Sequence, residues 1–141
     1  MAMRIACHGI TWGRDFGKTV DEISRLGFEG FEAFAFVVDD FGFARIGDFQ
    51  RQLADHGLKL VALYGGGAMH DPSMFEVVVA NNVRLARFLQ ANGADRLVRG
   101  PGRRPQGGPS RDDLLTMVHC ANEIGRRTQE YGVLACVHPH V

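Results

Sequence analysis

The chain has 141 residues, of which 45% are hydrophobic and 23% charged, and its formal net charge is zero. That length suits one domain or a piece of one. The neutral balance argues against nucleic-acid and membrane-surface partners, which favour a basic excess. No apolar run is long enough to predict a membrane span, and the first residues do not read as a signal peptide. The three cysteines, without a C-x-x-C pair, predict a reduced cytoplasmic protein.

A weak repeat organises the chain. Four helical stretches each end in a glycine that an apolar run follows within one or two residues; these glycines are Gly27, Gly57, Gly93 and Gly132. A glycine just past a helix takes the left-handed conformation that closes it. A strand so soon afterwards is typical of the short αβ loops of α/β proteins.

The repeat predicts five strands alternating with four helices in the order βαβαβαβαβ. The strands are expected at about residues 4–10, 28–35, 58–64, 95–99 and 133–138, and the helices at about 18–26, 46–56, 73–92 and 110–131. Capping signatures, Ser73 with Glu76 and Ser110 with Asp113, mark the third and fourth helices. The strands are apolar without clear alternation, which favours a parallel sheet covered on both faces and joined by right-handed crossovers.

Polar or aromatic residues follow every predicted strand. Ligands of parallel α/β folds bind at the carboxyl ends of the strands, so we expect these side chains to gather at one rim as a small-molecule site. The candidates, in chain order, are His8, Trp12, Glu32, Tyr64, His70, Arg99, His138 and His140. Each has a plainer alternative: His8 as a satisfied histidine, Trp12 as packing, His70 as part of a loop that introduces a helix.

The pair His138 and His140 is the sharpest signal at this rim. Residues two apart on a strand face the same side, so both imidazoles can enter one pocket. Neutral imidazole binds transition metals or transfers protons near neutral pH. Two histidines do not complete a catalytic metal site, which typically has three protein ligands and an open position. Glu32 lies among apolar neighbours, where an unpaired carboxylate is costly, so we expect it to have a partner or to face the pocket.

Three segments together resemble a known family. Residues 4–13, which include Thr11 and Trp12, are similar to its first strand; residues 21–32, with their Leu-Gly-Phe-Glu-Gly-Phe-Glu run, to its second; and residues 137–141 to its fifth. The family resembled is the xylose-isomerase-like TIM-barrel proteins. These are the sugar phosphate isomerase/epimerase group, which includes the inosose dehydratases. The resemblance implies one partial (β/α)8 TIM-barrel domain over residues 1–141, with five parallel strands and four helices and without the C-terminal strands.

The resemblance also implies a function. Family members use a divalent metal, Mn, Co, Mg or Zn, to isomerise, epimerise or dehydrate sugars and inositol derivatives. By this resemblance Glu32, His138 and His140 are catalytic, and His138 and His140 are also metal ligands. The substrate-binding candidates are His8, Trp12, Tyr64, His70 and Arg99. Most family metal ligands come from the fifth strand onward, so metal binding by this chain is expected to be weak or absent and catalysis incomplete.

Two other functions stay open. A half-barrel without chemistry of its own would pair with another chain through its exposed sheet edges, which predicts a homo-oligomer. A metal-dependent hydrolase of the AP-endonuclease type is the weaker alternative, because the chain has neutral charge and no stripe of aromatic and basic residues for nucleic acid.

Overall fold

The computed structural model of the chain describes residues 5–139. Its five strands form one parallel sheet in sequential order. The strands are β1 (Ala6–His8), β2 (Gly30–Phe34), β3 (Lys59–Gly66), β4 (Arg96–Gly100) and β5 (Leu134–Val137). Every neighbouring pair is parallel, as the repeat predicts. The α/β partial-barrel prediction is therefore confirmed.

The helices that connect the strands are α1 (Phe16–Arg25), α2 (Phe36–Asp40), α3 (Ile46–Asp55), α4 (Phe75–Ala91) and α5 (Arg111–Gln129). Four of them match the predicted helices. The sequence does not predict the one-turn helix α2, because five residues are too few to show a helical period. This helix buries Val37 and Val38 directly after β2.

Local chemistry explains where these elements begin and end. Each of the four repeat glycines has a positive φ, between 66° and 81°, as predicted for residues that close a helix. Ser110 and Asp113 form the expected capping box at the start of α5. The box expected from Ser73 and Glu76 is not formed, because Asp71 instead caps a 3-10 turn at Pro72–Met74 that precedes α4.

The core lies between the sheet and its helices. Strand residues Phe31, Leu63 and Leu97 are almost fully buried there against apolar side chains of α1, α3, α4 and α5. We call this side of the sheet the helix-covered face and the opposite side the inner face. Near the amino ends of the strands the inner face is open, since Leu134 is 58% exposed. No helix among residues 5–139 is long and apolar enough to cross a bilayer.

Candidate active site on the inner face

The register of the sheet decides which predicted site residues meet. Partners across parallel strands point to the same face. His8 pairs with Glu32, and Phe34, two residues further along β2, pairs with Tyr64. Tyr64 in turn pairs with Val98 on β4. These side chains therefore share the inner face at the carboxyl ends of their strands.

His8 is fixed by the turn that follows β1. Residues Gly9–Trp12 form a 3-10 turn, and the Nδ1 atom of His8 caps it by accepting the N–H of Ile10 at 3.1 Å. In a neutral ring this bond leaves the proton on Nε2. The Nε2 atom is buried, 3.8 Å from Oε1 of Glu32, and has no hydrogen-bond partner among residues 5–139. Of the two expectations for Glu32, a partner or a place facing the pocket, the structure shows the second: it lies on the inner face beside this imidazole without a direct hydrogen bond between them.

Aromatic rings connect the ends of four strands. The ring of His8 lies edge-on to those of Phe34 and Tyr64, with centroids 4.5 Å and 5.9 Å away. Tyr64 also contacts Phe34 at 5.5 Å and His138 at 5.6 Å. Edge-to-face pairs at these separations are favourable. Tyr64 thus links the imidazole at the end of β1 with the one that follows β5.

His138 is held in place by the backbone. Its N–H donates to the carbonyl of Arg99 at 2.9 Å, which continues the pairing of β5 with β4 by one residue. The structure therefore brings together His8, Glu32, Tyr64 and His138, as the sequence predicts. We call these four residues with Phe34 the inner-face cluster. His140, the other predicted histidine, lies outside the described residues.

Arg99 does not join this cluster, so the expected position of its side chain is wrong. It pairs in register with Gly65 and Val137 and lies on the helix-covered face, where it is 3% exposed. Its Nη1 lies 3.4 Å from the carbonyl oxygen of Ala121 in α5. Burial lowers the pKa of the Arg99 guanidinium below its usual value.

Trp12 and His70 are also placed away from the cluster. The indole N–H of Trp12 donates to Oε2 of Glu22 in α1 at 2.7 Å, and the ring packs against the core. Trp12 is therefore a packing residue, as the plainer alternative predicts. The 3-10 turn that contains it carries the chain from the inner face towards α1. His70 lines a separate cavity with Arg103 and Arg104.

A cleft of about 510 Å³ adjoins the cluster. Phe34 and Tyr64 line it, together with the glycine run after Tyr64 and an ion pair between Asp39 and Arg84 at its wall. The glycine run lets β3 and β4 approach closely: a Cβ on Gly66 would lie 2.2 Å from the carbonyl oxygen of Gly100. A side chain at this position is therefore excluded by the backbone of β4.

Two contributors were missed from the sequence. Phe34 lies two residues after Glu32, so strand alternation alone could have placed it on the inner face. Asn82 of α4 is fully buried, and its Nδ2 donates to the carbonyls of Gly66 at 3.0 Å and Val78 at 2.8 Å. That amide anchors the glycine run to α4. No sequence signal marked it, because it looks like any polar residue within a helix.

The residues that the structure describes do not make a complete metal site. Imidazole and carboxylate are suitable donors for Mn, Co or Zn. Among residues 5–139, however, no group of three or more histidine, cysteine, aspartate or glutamate side chains lies close enough to hold an ion. The cluster alone therefore does not fit a resident catalytic metal.

The comparisons with known proteins agree with this fold. The family model described as xylose isomerase-like TIM barrel matches residues 20–141. The chain belongs to this family. No curated protein matches the chain.

Solved structures of the same barrel type superpose on the chain. A sugar phosphate isomerase/epimerase from Parabacteroides distasonis is 16% identical, with a TM-score of 0.73 over 99% of this chain and 52% of its own. A D-psicose 3-epimerase is 16% identical, with a TM-score of 0.78 over 96% of this chain and 52% of its own. A barrel protein from Mycobacterium smegmatis, solved with magnesium, is 19% identical, with a TM-score of 0.70 over 86% and 45%. At these identities the likeness shows the fold, and the chain spans about half the length of these structures.

Proposed function

We propose that the chain forms the sugar-binding part of an isomerase or epimerase site that acts on a polyol or keto sugar. The observation that carries this proposal is the inner-face cluster: one carboxylate, two imidazoles and two aromatic rings meet where a barrel binds its ligand. Five of the similar structures are named as epimerases or isomerase/epimerases of sugars, which supports the same substrate class.

His8 and Glu32 have the chemistry that a sugar hydroxyl needs. The gap of 3.8 Å between Nε2 and Oε1 is too long for a direct hydrogen bond. With a small shift of Glu32, a hydroxyl oxygen accepts from the imidazole N–H and its proton is donated to the carboxylate. The rings of Phe34 and Tyr64 supply an apolar surface for the C–H face of a sugar. Orientation therefore comes from His8, and the aromatic rings help to exclude water.

Isomerisation and epimerisation both move a proton at a carbon beside a carbonyl group. We assign Glu32 as the group that takes or returns this proton, with His138 and, by the family resemblance, His140 as its acid–base counterparts. A divalent metal, Mn, Co, Mg or Zn, would polarise the carbonyl when bound. Because the described residues do not complete a metal site, no step is assigned to it, and the proposed ligands His138 and His140 serve only a weak site.

We propose further that the chain is a single partial domain. Its five described strands are fewer than the eight of a closed barrel. In the family, most metal ligands come from the fifth strand onward. We therefore propose that efficient turnover requires metal ligands from strands other than these five. The three cysteines are free, which supports our proposal of a reducing, cytoplasmic location.

A second candidate function is a half-barrel that pairs with another copy and has no chemistry of its own. The specific observation in its favour is the open sheet: β1 and β5 are edge strands of the described sheet, and Leu134 and Val61 of its interior are exposed. Edge strands and uncovered apolar surface both favour association.

The two functions are separated by a ligand titration followed by NMR. We expect D-fructose or a keto-inositol to shift the imidazole signals of His8 and His138, and Glu32→Gln to weaken this binding by about tenfold, the loss of one charge-assisted hydrogen bond. Glu76→Gln, at an exposed position on α4, is the matched control and should leave the affinity unchanged. Absence of any shift at either imidazole, or equal binding by Glu32→Gln, would contradict the proposed function.

Calorimetry tests the metal separately. Mn²⁺ should bind weakly, and the double variant His138→Ala/His140→Ala should abolish the heat. The matched control is His119→Ala on α5, whose ring stacks on Phe75 and lies apart from the cluster. Tight stoichiometric binding by the monomer would show that the ligand set is fuller than we propose.

A further inference from the structure

A second cavity, of about 570 Å³, lies between the loop after β3 and the long loop that joins β4 to α5. We call it the loop cavity. It is lined by His70, Arg103, Arg104, the three prolines of the long loop, Leu114 and Met117. Its volume falls in the range of about 300–1,000 Å³ that small-molecule sites occupy. None of the inner-face cluster lines it, so it is a separate site.

The two arginines of the loop cavity are uncommitted. Arg103 and Arg104 have neither an ion pair nor a hydrogen bond within residues 5–139. Among the other described arginines, eight form ion pairs and three, Arg87, Arg99 and Arg111, do not; the eight are Arg14, Arg25, Arg45, Arg51, Arg84, Arg96, Arg126 and Arg127. Guanidinium groups left without an anion, side by side at the wall of a cavity, are suited to bidentate binding of a phosphate or carboxylate.

A third guanidinium lies beside this wall. The side chain of Arg99 is only 3% exposed, and its Nε has no hydrogen-bond partner among the described residues. Its Nη1 contacts Sδ of Met69, the residue before His70, and the carbonyl of Ala121, one turn beyond Met117. No ion pair between Arg99 and a carboxylate is found within residues 5–139, so this buried positive charge adds to the attraction for an anion.

The acidic groups nearby are already engaged. Asp71 and Asp113 both interact with His70, but each accepts a 2.7 Å hydrogen bond from a serine hydroxyl, Ser73 and Ser110 respectively. Neither carboxylate lines the cavity. The rest of the lining is apolar. The cavity therefore combines a cationic side with an apolar one, which fits an anionic group attached to a neutral body.

We propose that the loop cavity binds a small phosphorylated metabolite, with its phosphate between Arg103, Arg104 and His70 and its neutral body against Leu114 and Met117. A phosphate is favoured over a carboxylate because it offers more acceptor oxygens to the donors of two arginines and a histidine. A nucleic acid is disfavoured, since the chain has zero net charge and the site is a cavity between two loops and α5 rather than a basic stripe.

Inorganic phosphate is the probe, titrated at constant ionic strength and followed by NMR. We expect shifts of the His70 imidazole and of the backbone amides of Gly102, Gly107 and Gly108. The double variant Arg103→Gln/Arg104→Gln should weaken binding by about tenfold or more, as expected for lost charge-assisted bonds. The variant Arg103→Lys/Arg104→Lys keeps the charge but loses the planar fork, and should give an intermediate affinity.

The matched control is Arg25→Gln/Arg51→Gln, which removes two positive charges from exposed positions on α1 and α3, outside the lining of the loop cavity. It should bind phosphate like the parent chain. Equal weakening by both double variants would show general charge attraction and overturn the proposal. Phosphate-induced shifts confined to Tyr64 and His138 would also overturn it. So would a short single-stranded oligonucleotide that binds more tightly than phosphate and whose binding is lost in Arg103→Gln/Arg104→Gln.

Discussion

The two faces of one sheet have opposite characters. The helix-covered face is a close-packed apolar core in which Phe31, Leu63 and Leu97 are almost fully buried. The inner face presents His8, Glu32 and Tyr64 with only partial burial. The same short strands form both faces, because successive residues of a strand point to opposite sides of the sheet. One position along a strand therefore separates a residue that stabilises the fold from one that can bind a ligand.

The largest expected effect compares two phenylalanines of β2. Phe31→Ala opens a cavity in the core and should lower the free energy of unfolding by about 3–5 kcal/mol. Phe34→Ala, on the inner face, leaves a half-exposed ring position and should cost less than half as much. Urea unfolding followed by circular dichroism measures both. Equal losses would show that the inner face is as tightly packed as the core.

A pair of glycine substitutions sharpens the same comparison. Gly66 has a φ of +133°, and an added Cβ would meet the backbone of β4, so Gly66→Ala should destabilise the chain by about 2 kcal/mol or more. Gly125→Ala in α5 meets no atom within 4 Å and should stabilise it by about 0.5–1 kcal/mol. Thermal unfolding of both variants checks the signs, and a neutral Gly66→Ala would mean that the two strands separate easily.

The open part of the inner face should make the chain self-associate. Burial of apolar surface is worth about 25 cal/mol per Å², and Leu134 and Val61 are exposed there. Sedimentation at micromolar concentration should detect dimers or larger species, which Leu134→Glu disperses. Leu26→Glu, at an exposed apolar position outside the sheet, is the control and should leave association unchanged. A stable monomer would contradict the pairing hypothesis.

The last comparison is between the reaction rates of two thiols. Cys120 is fully buried on the helix-covered side, and burial raises its pKa more than nearby Arg99 lowers it. Cys136 is partly exposed and pairs in register with Val98 of the inner face. Only thiolate reacts with a disulfide reagent, so Cys120 should react at least about a hundredfold more slowly at neutral pH. Because Cys7 is also partly exposed, the test uses a Cys7→Ser background, in which Cys136→Ser should remove the fast phase; its persistence would contradict this placement.

The sequence predicted the architecture because the architecture rests on local signals. A glycine that closes each helix and an apolar run after it are both visible without knowledge of the fold, and Gly27, Gly57, Gly93 and Gly132 all have the positive φ that this reading requires. The inner-face cluster was predictable in the same way, because His8, Glu32, Tyr64 and His138 mark the carboxyl ends of strands.

The errors arise where a single residue of register, or a turn, decides the outcome. Arg99 was expected at the rim because it ends β4, yet the pairing of Gly65 with Arg99 directs it to the helix-covered face. Trp12 follows β1, but a 3-10 turn intervenes and its indole reaches Glu22 instead. Hydrophobic periodicity does not reveal the register between strands, and a one-turn helix such as α2 is too short to show a helical period.

Sequential strand order has a consequence for how the molecule is made. Because each strand pairs with the one before it in the chain, every new βα unit finds its docking surface already synthesised. Contacts in the sheet thus join segments separated by a single connection, which keeps the entropy lost in closing each loop small. The chain is therefore suited to assembly from its amino end while translation is still in progress, one unit at a time, with β5 as the last strand of the described sheet to dock.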